Sequence, residues 1–256
     1  MKAIIGGTGV YQLDLATEKK TIEVNTPYGT VELDQIEVDG VEIVFLARHG
    51  KGHKTPPHMI NYRANMKALQ ILGVEEVLAT CAVGSCHEHL APGELVLMND
   101  FLDFTKGRIQ TYFDGESGVA HLELSEPYCS TLNQAILATA KEKELRIFEE
   151  AVYVCTEGPR FETASEIKMF ASAGGDVVGM TNFPEVVLAK ELGLCYTAVG
   201  FVTNWCTGVK KGAIEMHDIQ GSIDFNRNRL TELFIQVLTR TSEEKKCHCS
   251  QSLIRL

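Results

Sequence analysis

AVYVCTEGPRFETASEIKMFASAGGDVVGMTNFPEVVLAKE, residues 151–191, reads as strand, turn, helix, short strand, turn, helix. Ala151–Thr156 is an apolar, partly β-branched run that stops at the turn signal Gly158-Pro159. Glu162–Ala171 predicts a helix, a short apolar strand ends before Thr181, and Glu185–Leu192 predicts a further helix. Pro184 leads that helix in and Gly193 stops it. Strands that alternate with helices bury both faces of a sheet. The two turns, TEGPRFET and GMTNFPE, also mix polar handles (Arg160, Glu162, Thr181) with apolar walls (Phe161, Met180), as a small-molecule pocket requires.

Outward from this stretch the pattern continues. Lys2–Ile5 predicts a short strand ending in GGTG. Thr21–Val24, Val31–Val38 and Val41–Leu46 alternate like antiparallel strands, with Tyr28-Gly29 and Asp39-Gly40 as turns. Ile60–Leu72 has helical periodicity, and Val74–Cys81 and Glu94–Phe101 read as buried strands. Phe104–Gly118 predicts a long loop and Ser130–Leu145 an amphipathic helix. Leu194–Thr203 predicts a strand and Asp218–Thr239 a closing helix. The expected fold is α/β, a single domain over residues 1–256 with three αβα layers and a mixed central sheet.

Composition narrows the function. The net charge of −10 comes without any Lys/Arg-rich stripe, which argues against nucleic acid. No apolar run reaches the roughly 18 residues of a membrane span or forms a leader, so the reading is a cytoplasmic protein without a membrane partner. Among eight cysteines, Cys81, Cys155 and Cys195 fall in apolar strands as small buried thiols. Cys247-His248-Cys249 reads as a solvated tail with a redox or disulfide role as the alternative. A lone CxC lacks the second ligand pair of a zinc site, so no metal is expected.

GGTGV after the first strand invites a dinucleotide reading, but Tyr11–Lys20 has no helical apolar face and a strand pattern follows. A glycine turn whose N–H groups approach an anion survives that objection. Three further strand ends carry anion-suitable groups: Arg48-His49, the Thr80–Ser85 run around Ala82, and Thr181. For Arg48 the alternative is pairing with a surface carboxylate, and for Phe161 and Met180 it is a place in the core.

In order and spacing, IIGGTG, LARHG, NYRAN, AVGS, EGPRFET, GMTNFPEVVLAKE and VTN resemble the trimeric nucleoside phosphorylases, from Ile4 to about Asp218. The resemblance implies phosphate-dependent cleavage of a purine nucleoside to free purine and a ribose 1-phosphate, with no metal or organic cofactor. It implies phosphate held by Thr8, Arg48, His49, the N–H of Ala82 and Thr181, with Met180 against the ribose and Phe161 against the purine. Such a reaction passes through a ribosyl cation that a clamped phosphate both stabilises and captures.

Base preference is carried by Glu162 and Asn204, the expected catalytic pair. Asn204 can donate to a 6-oxo oxygen and accept from N7–H, whereas the 6-aminopurine enzymes carry an Asp in a motif resembling TDYD. An ionised Glu162 can accept from N1–H of a 6-oxopurine, while adenine offers an acceptor there. Both favour a 6-oxopurine; overall similarity leans instead to the methylthio-nucleoside branch, and methylthioadenosine is the alternative. His217 resembles a 5'-hydroxyl contact or else caps the last helix beside Asp218. At Cys81 the methylthioadenosine enzymes carry a phosphate-binding Thr, so any contact there would come from backbone. The family also implies a homotrimer, or paired trimers, with Tyr112 or Phe113 of the Phe104–Phe113 loop reaching into a neighbour's site; an intrachain loop is an equally plain reading. An oxidoreductase and a non-catalytic nucleoside-binding protein are the competing classes.

Overall fold

Two parallel strands, β1 (Lys2–Gly6) and β5 (Glu76–Ser85), lie side by side in the middle of a nine-stranded sheet. The computed structural model describes residues 1–8, 10, 18–52, 54–213, 215–240 and 247–255, without the side chains of Met216 and Asp218. Beyond β1 lie β4 (Val41–Ala47), β3 (Gly29–Val38) and β2 (Lys20–Thr26), a meander whose turns fall at the Tyr28-Gly29 and Asp39-Gly40 signals. On its other margin β5 pairs with β10 (Cys195–Trp205), which is antiparallel to β6 (Leu95–Phe104). Then come β8 (Ile147–Thr156) and the short β9 (Val177–Gly179), which returns to β5 at Gly84 and Ser85.

The sheet therefore closes on itself. β5, β10, β6, β8 and β9 form a ring, and β1 to β4 extend from it as an open wing. The expected mixed sheet is present; its closure is a feature that strand periodicity cannot carry, because pairing partners far apart in sequence leave no local signature.

Alternation along the strands feeds two cores. Val77, Ala79 and Cys81 of β5 join a cluster with α1 (Tyr62–Ile71) and α4 (Asn182–Glu191), through Met66, Leu69, Val186 and Leu188. Leu78 of β5 and Val199 of β10 face the opposite way, against Ile136 of α2 (Ser130–Glu142) and Phe234 of α5 (Met216–Thr239). α4 is buried on nearly every side, from Asn182 to Lys190. Its regular turn starts at Pro184, since Phe183 holds φ −103° and ψ 133°, the extended geometry favoured before proline.

A separate two-stranded antiparallel sheet pairs β7 (Ala120–Leu122) with β11 (Leu253–Arg255), so the C-terminal segment folds back onto the body instead of forming a solvated tail. Cys249 is buried there, contrary to expectation. The loop after β6 is long, as expected, but anchored: Arg108 donates to the carbonyls of Phe183 (2.6 Å), Glu157 (2.9 Å) and Thr156 (3.2 Å). Tyr112 is buried, donates to the Arg63 carbonyl at 2.8 Å and packs on Tyr28. Tyr112 is thereby tied to its own chain, in line with the alternative of an intrachain loop.

Candidate active site

The gap that makes the site lies along β5. Pairing with β1 ends at Ala79, and pairing with β9 begins at Gly84, so residues 80–83 have no strand neighbour on that margin among the described residues. The Thr80 carbonyl faces this gap, where it accepts from Arg48 Nη1 at 2.8 Å. The two-residue period of a strand turns the N–H of Ala82 to the same side. A cavity of about 430 Å³ opens here, within the range of small-ligand pockets. Thr8, Arg48, His49, Ala82, Phe161, Glu162, Met180, Thr181 and Asn204 all line it, so nine of the ten expected site residues converge.

At the Thr80 level the backbone approach is tight. Gly7 N–H donates to Thr80 Oγ1 at 2.8 Å, and a Cβ on Gly7 would stand 2.7 Å from both the Thr80 carbonyl and Arg48 Nη1. The glycines of GGTG thus let β1 end against β5, and β2 rather than a helix is the next described element. Residues 11–17, on which the helix argument partly rested, lie outside the described residues.

Arg48 is fully buried, with Nε and Nη2 on the two oxygens of Glu185 at 2.6 and 2.7 Å. Arg48 thus pairs with a carboxylate, a buried one rather than the surface one expected, and also lines the cavity. Burial opposes its charge, but Glu185 outweighs this and holds the guanidinium pKa well above its usual value. One N–H on each Nη is left beyond these bonds. Glu185 also accepts from Tyr196 Oη at 2.7 Å, and Tyr196 in turn accepts from Asn182 Nδ2 at 3.1 Å. His49 is oriented by Nδ1 against the Thr55 carbonyl at 2.8 Å. Thr181 has its N–H on Tyr153 Oη at 3.1 Å, which places its side chain at the start of α4. Cys81 is buried beneath, with Sγ accepting from Asn182 at 3.4 Å and burial pushing its thiol pKa up.

About four residues further along β5, roughly 13 Å at strand rise, lies the second end of the cavity. Glu162 is buried and takes one hydrogen bond, from Thr156 Oγ1 to Oε1 at 2.6 Å. Asn204 donates through Nδ2 to the Trp205 carbonyl at 2.9 Å and accepts at Oδ1 from Thr203 Oγ1 at 2.7 Å. A carbonyl can only accept, so Trp205 sets which end of the amide is nitrogen and leaves one donor and one acceptor direction for a ligand. Met180 packs on Gly158, where a Cβ would meet its sulfur at 2.5 Å. Phe161 is 54% exposed, a large apolar ring at the mouth rather than in the core. Arg160 forms a double ion pair with Glu166, which completes a capping box with Thr163 at the start of α3 (Ala164–Ser172). Arg160 thus fixes the turn that presents Phe161 and Glu162.

His217 stands apart. It is exposed, is the second residue of α5, and lines an adjoining cavity of about 930 Å³ that shares Phe161, Asn204, Cys206 and Thr207 with the first. Glu215, not His217, occupies the cap position. Sequence reasoning missed Glu185, Lys54 and Thr55. Glu185 sits in the apolar GMTNFPEVVLAKE run, where an acidic residue amid buried neighbours was the available signal; Lys54 and Thr55 carried none.

The chain matches the model of the phosphorylase superfamily over residues 2–241. It is 46% identical over 98% of its length, and 95% of the relative, to a probable 6-oxopurine nucleoside phosphorylase of Dictyoglomus turgidum. It is 41% identical to an S-methyl-5'-thioadenosine phosphorylase of Pyrococcus furiosus, covering 98% of this chain and 96% of that one. A methylthioadenosine phosphorylase from an antarctic soil metagenomic library superposes with a TM-score of 0.87 at 30% identity, covering 98% and 90% of the two chains. The chain belongs to the phosphorylase superfamily. Whole-chain identity to these relatives, 46% against 41%, does not lean to the methylthio branch as expected.

Proposed function

We propose that this enzyme cleaves purine nucleosides by phosphorolysis, with a 6-oxopurine as the preferred base. The observation that carries this reading is one cavity with cation- and N–H-bearing strand ends at one level of β5 and the Glu162–Asn204 pair at the other. Phosphate sits among Thr8, Arg48, His49, Ala82 N–H and Thr181. One of its oxygens attacks C1' as the C1'–N9 bond breaks; the bond's electron pair leaves with the purine, which takes a proton from solvent water at N7. The ribosyl cation that develops is flanked by the phosphate charge, so preorganised electrostatics replace a strong base. Asn204 accepts from N7–H and donates to O6, and the second oxygen of Glu162 accepts from N1–H. Met180 packs on the ribose and Phe161 covers the purine. No organic cofactor has a role in this chemistry.

Relatives named for 6-oxopurine nucleosides and for S-methyl-5'-thioinosine support the base assignment. The methylthioadenosine reading keeps support from relatives of that name. His217 beside the shared mouth supports contact with the 5' end of the sugar. We further infer a homotrimer or paired trimers: Phe104 and Ile109 are exposed apolar residues on the loop that ends near Phe113, the remaining candidate to reach a neighbour. The deciding assay is phosphate-dependent release of free base from inosine, guanosine, methylthioinosine, methylthioadenosine and adenosine, compared as kcat/KM. Release that does not depend on phosphate, or no release from any of the five, would refute phosphorolysis. Cosedimentation with the cytoplasmic fraction tests the expected location.

A further inference from the structure

Cys129, Cys195, Cys247 and Cys249 bring four Sγ atoms within 4.8 Å of one another. They arrive from three parts of the chain: the cap residue of α2, the first residue of β10, and the CHC stretch ahead of β11. The missing second pair that argued against a metal at Cys247-His248-Cys249 is thus supplied by two residues distant in sequence. All four are free thiols, and Cys129, Cys195 and Cys249 are buried.

Geometry distinguishes what such a cluster suits. A tetrahedral zinc thiolate, with Zn–S of about 2.3 Å, sets all sulfur pairs about 3.8 Å apart. Disulfides join sulfurs two by two at about 2.05 Å and ask for no closeness between one pair and the next. Here Cys195 and Cys247 stand 3.4 Å apart, and all four sulfurs share one small volume. Leu132, Ile136 and Leu238 pack in the same apolar cluster, which keeps water away. Cys129 caps α2, so the positive end of that helix lies beside the charge that thiolates would bring.

We propose that these four cysteines are the ligands of a structural zinc ion that staples the C-terminal segment to β10 and α2. Binding displaces the four thiol protons to solvent and transfers no electrons. Four protein ligands close the coordination shell, so the ion takes no part in phosphorolysis. His248, exposed between two ligands, is left outside.

The test uses the full chain purified without oxygen, in reductant, from a zinc-supplemented culture. Elemental analysis should find one zinc per chain. Alkylation of the native protein followed by mass analysis should show Cys129, Cys195, Cys247 and Cys249 protected with zinc and modified after chelation. Cobalt in place of zinc should give the intense visible bands of a tetrahedral tetrathiolate, and Cys249→Ser should abolish them. The wild-type alkylation pattern decides the matter even if that variant fails to fold. Reduced wild-type protein that binds no zinc, cysteines that react equally with and without it, or Cys–Cys bonds found in place of the metal would overturn the proposal.

Discussion

The two ends of the cavity are built on different principles. At the Thr80 level the polar groups are held by other buried groups: Arg48 by Glu185, Glu185 by Tyr196, Tyr196 by Asn182, and His49 by a backbone carbonyl. At the Gly84 level Phe161 is exposed, Glu162 has one oxygen bound, and Asn204 has half its amide engaged. The first end is set by the sheet and can change only with it. The second is set by one turn and one strand end, so exchanging one or two side chains alters what base is read while the fold stays as it is. This difference fits relatives of like length whose names divide by base and by the 5' end of the sugar, and not by phosphate.

The contrast can be broken most severely at Glu185. Glu185→Gln leaves Arg48 buried without its counter-charge, and denaturant unfolding should show a loss of about 3–5 kcal/mol. The KM for phosphate should rise in whatever fraction remains folded. A loss below 1 kcal/mol, roughly, would mean that the first end is not held as described.

Next comes the base end. Glu162→Ser with Asn204→Asp should move the kcat/KM ratio of inosine to adenosine toward adenosine, with about 1–3 kcal/mol per mispaired buried group setting the scale. Thermal midpoint should hardly change. An unaltered ratio would refute the assignment of these two residues. Phe161→Ala is milder: ring contact contributes about 0.5–1.5 kcal/mol, so nucleoside KM should rise severalfold while phosphate KM stays put. Equal rises in both would place Phe161 in the architecture of the whole cavity.

The smallest effect concerns pH. The Glu166 carboxyl is held down to about 2, first by the Arg160 guanidinium and then by the Thr163 N–H. Its folded pKa lies below the unfolded value of about 4.3, so its contribution is complete above that value and fades as pH falls toward 2. Glu166→Gln should flatten this part of the stability–pH curve without moving activity at neutral pH. A curve that overlays wild type would show that the Glu166 charge, paired with Arg160, contributes nothing.

Much of this was legible in the chain. Local signals placed the strand–helix alternation and nearly every cavity-lining candidate, because strand ends marked by Gly, Arg-His and Thr are short-range features. What escaped was non-local. The return of β9 to β5, the docking of β11 on β7 and the gathering of Cys129 and Cys195 around the CHC stretch depend on pairings across more than local sequence. For Tyr112 the resemblance offered a place across a subunit boundary or within its own chain; its hydroxyl is anchored to the Arg63 carbonyl of the same chain, a contact across 49 residues that local sequence does not signal.

The ring closure of the sheet bears on how copies of this chain can meet. Among the described residues, every strand of the main sheet has neighbours on both sides except β2, whose outer margin has none. That margin, KTIEVNT, is polar and largely exposed, with Lys20 and Glu23 on show. An edge so charged resists runaway strand addition. In the main sheet, self-association is therefore left to faces and loops, which are specific in shape, and open-ended backbone pairing through that sheet meets one poorly suited border.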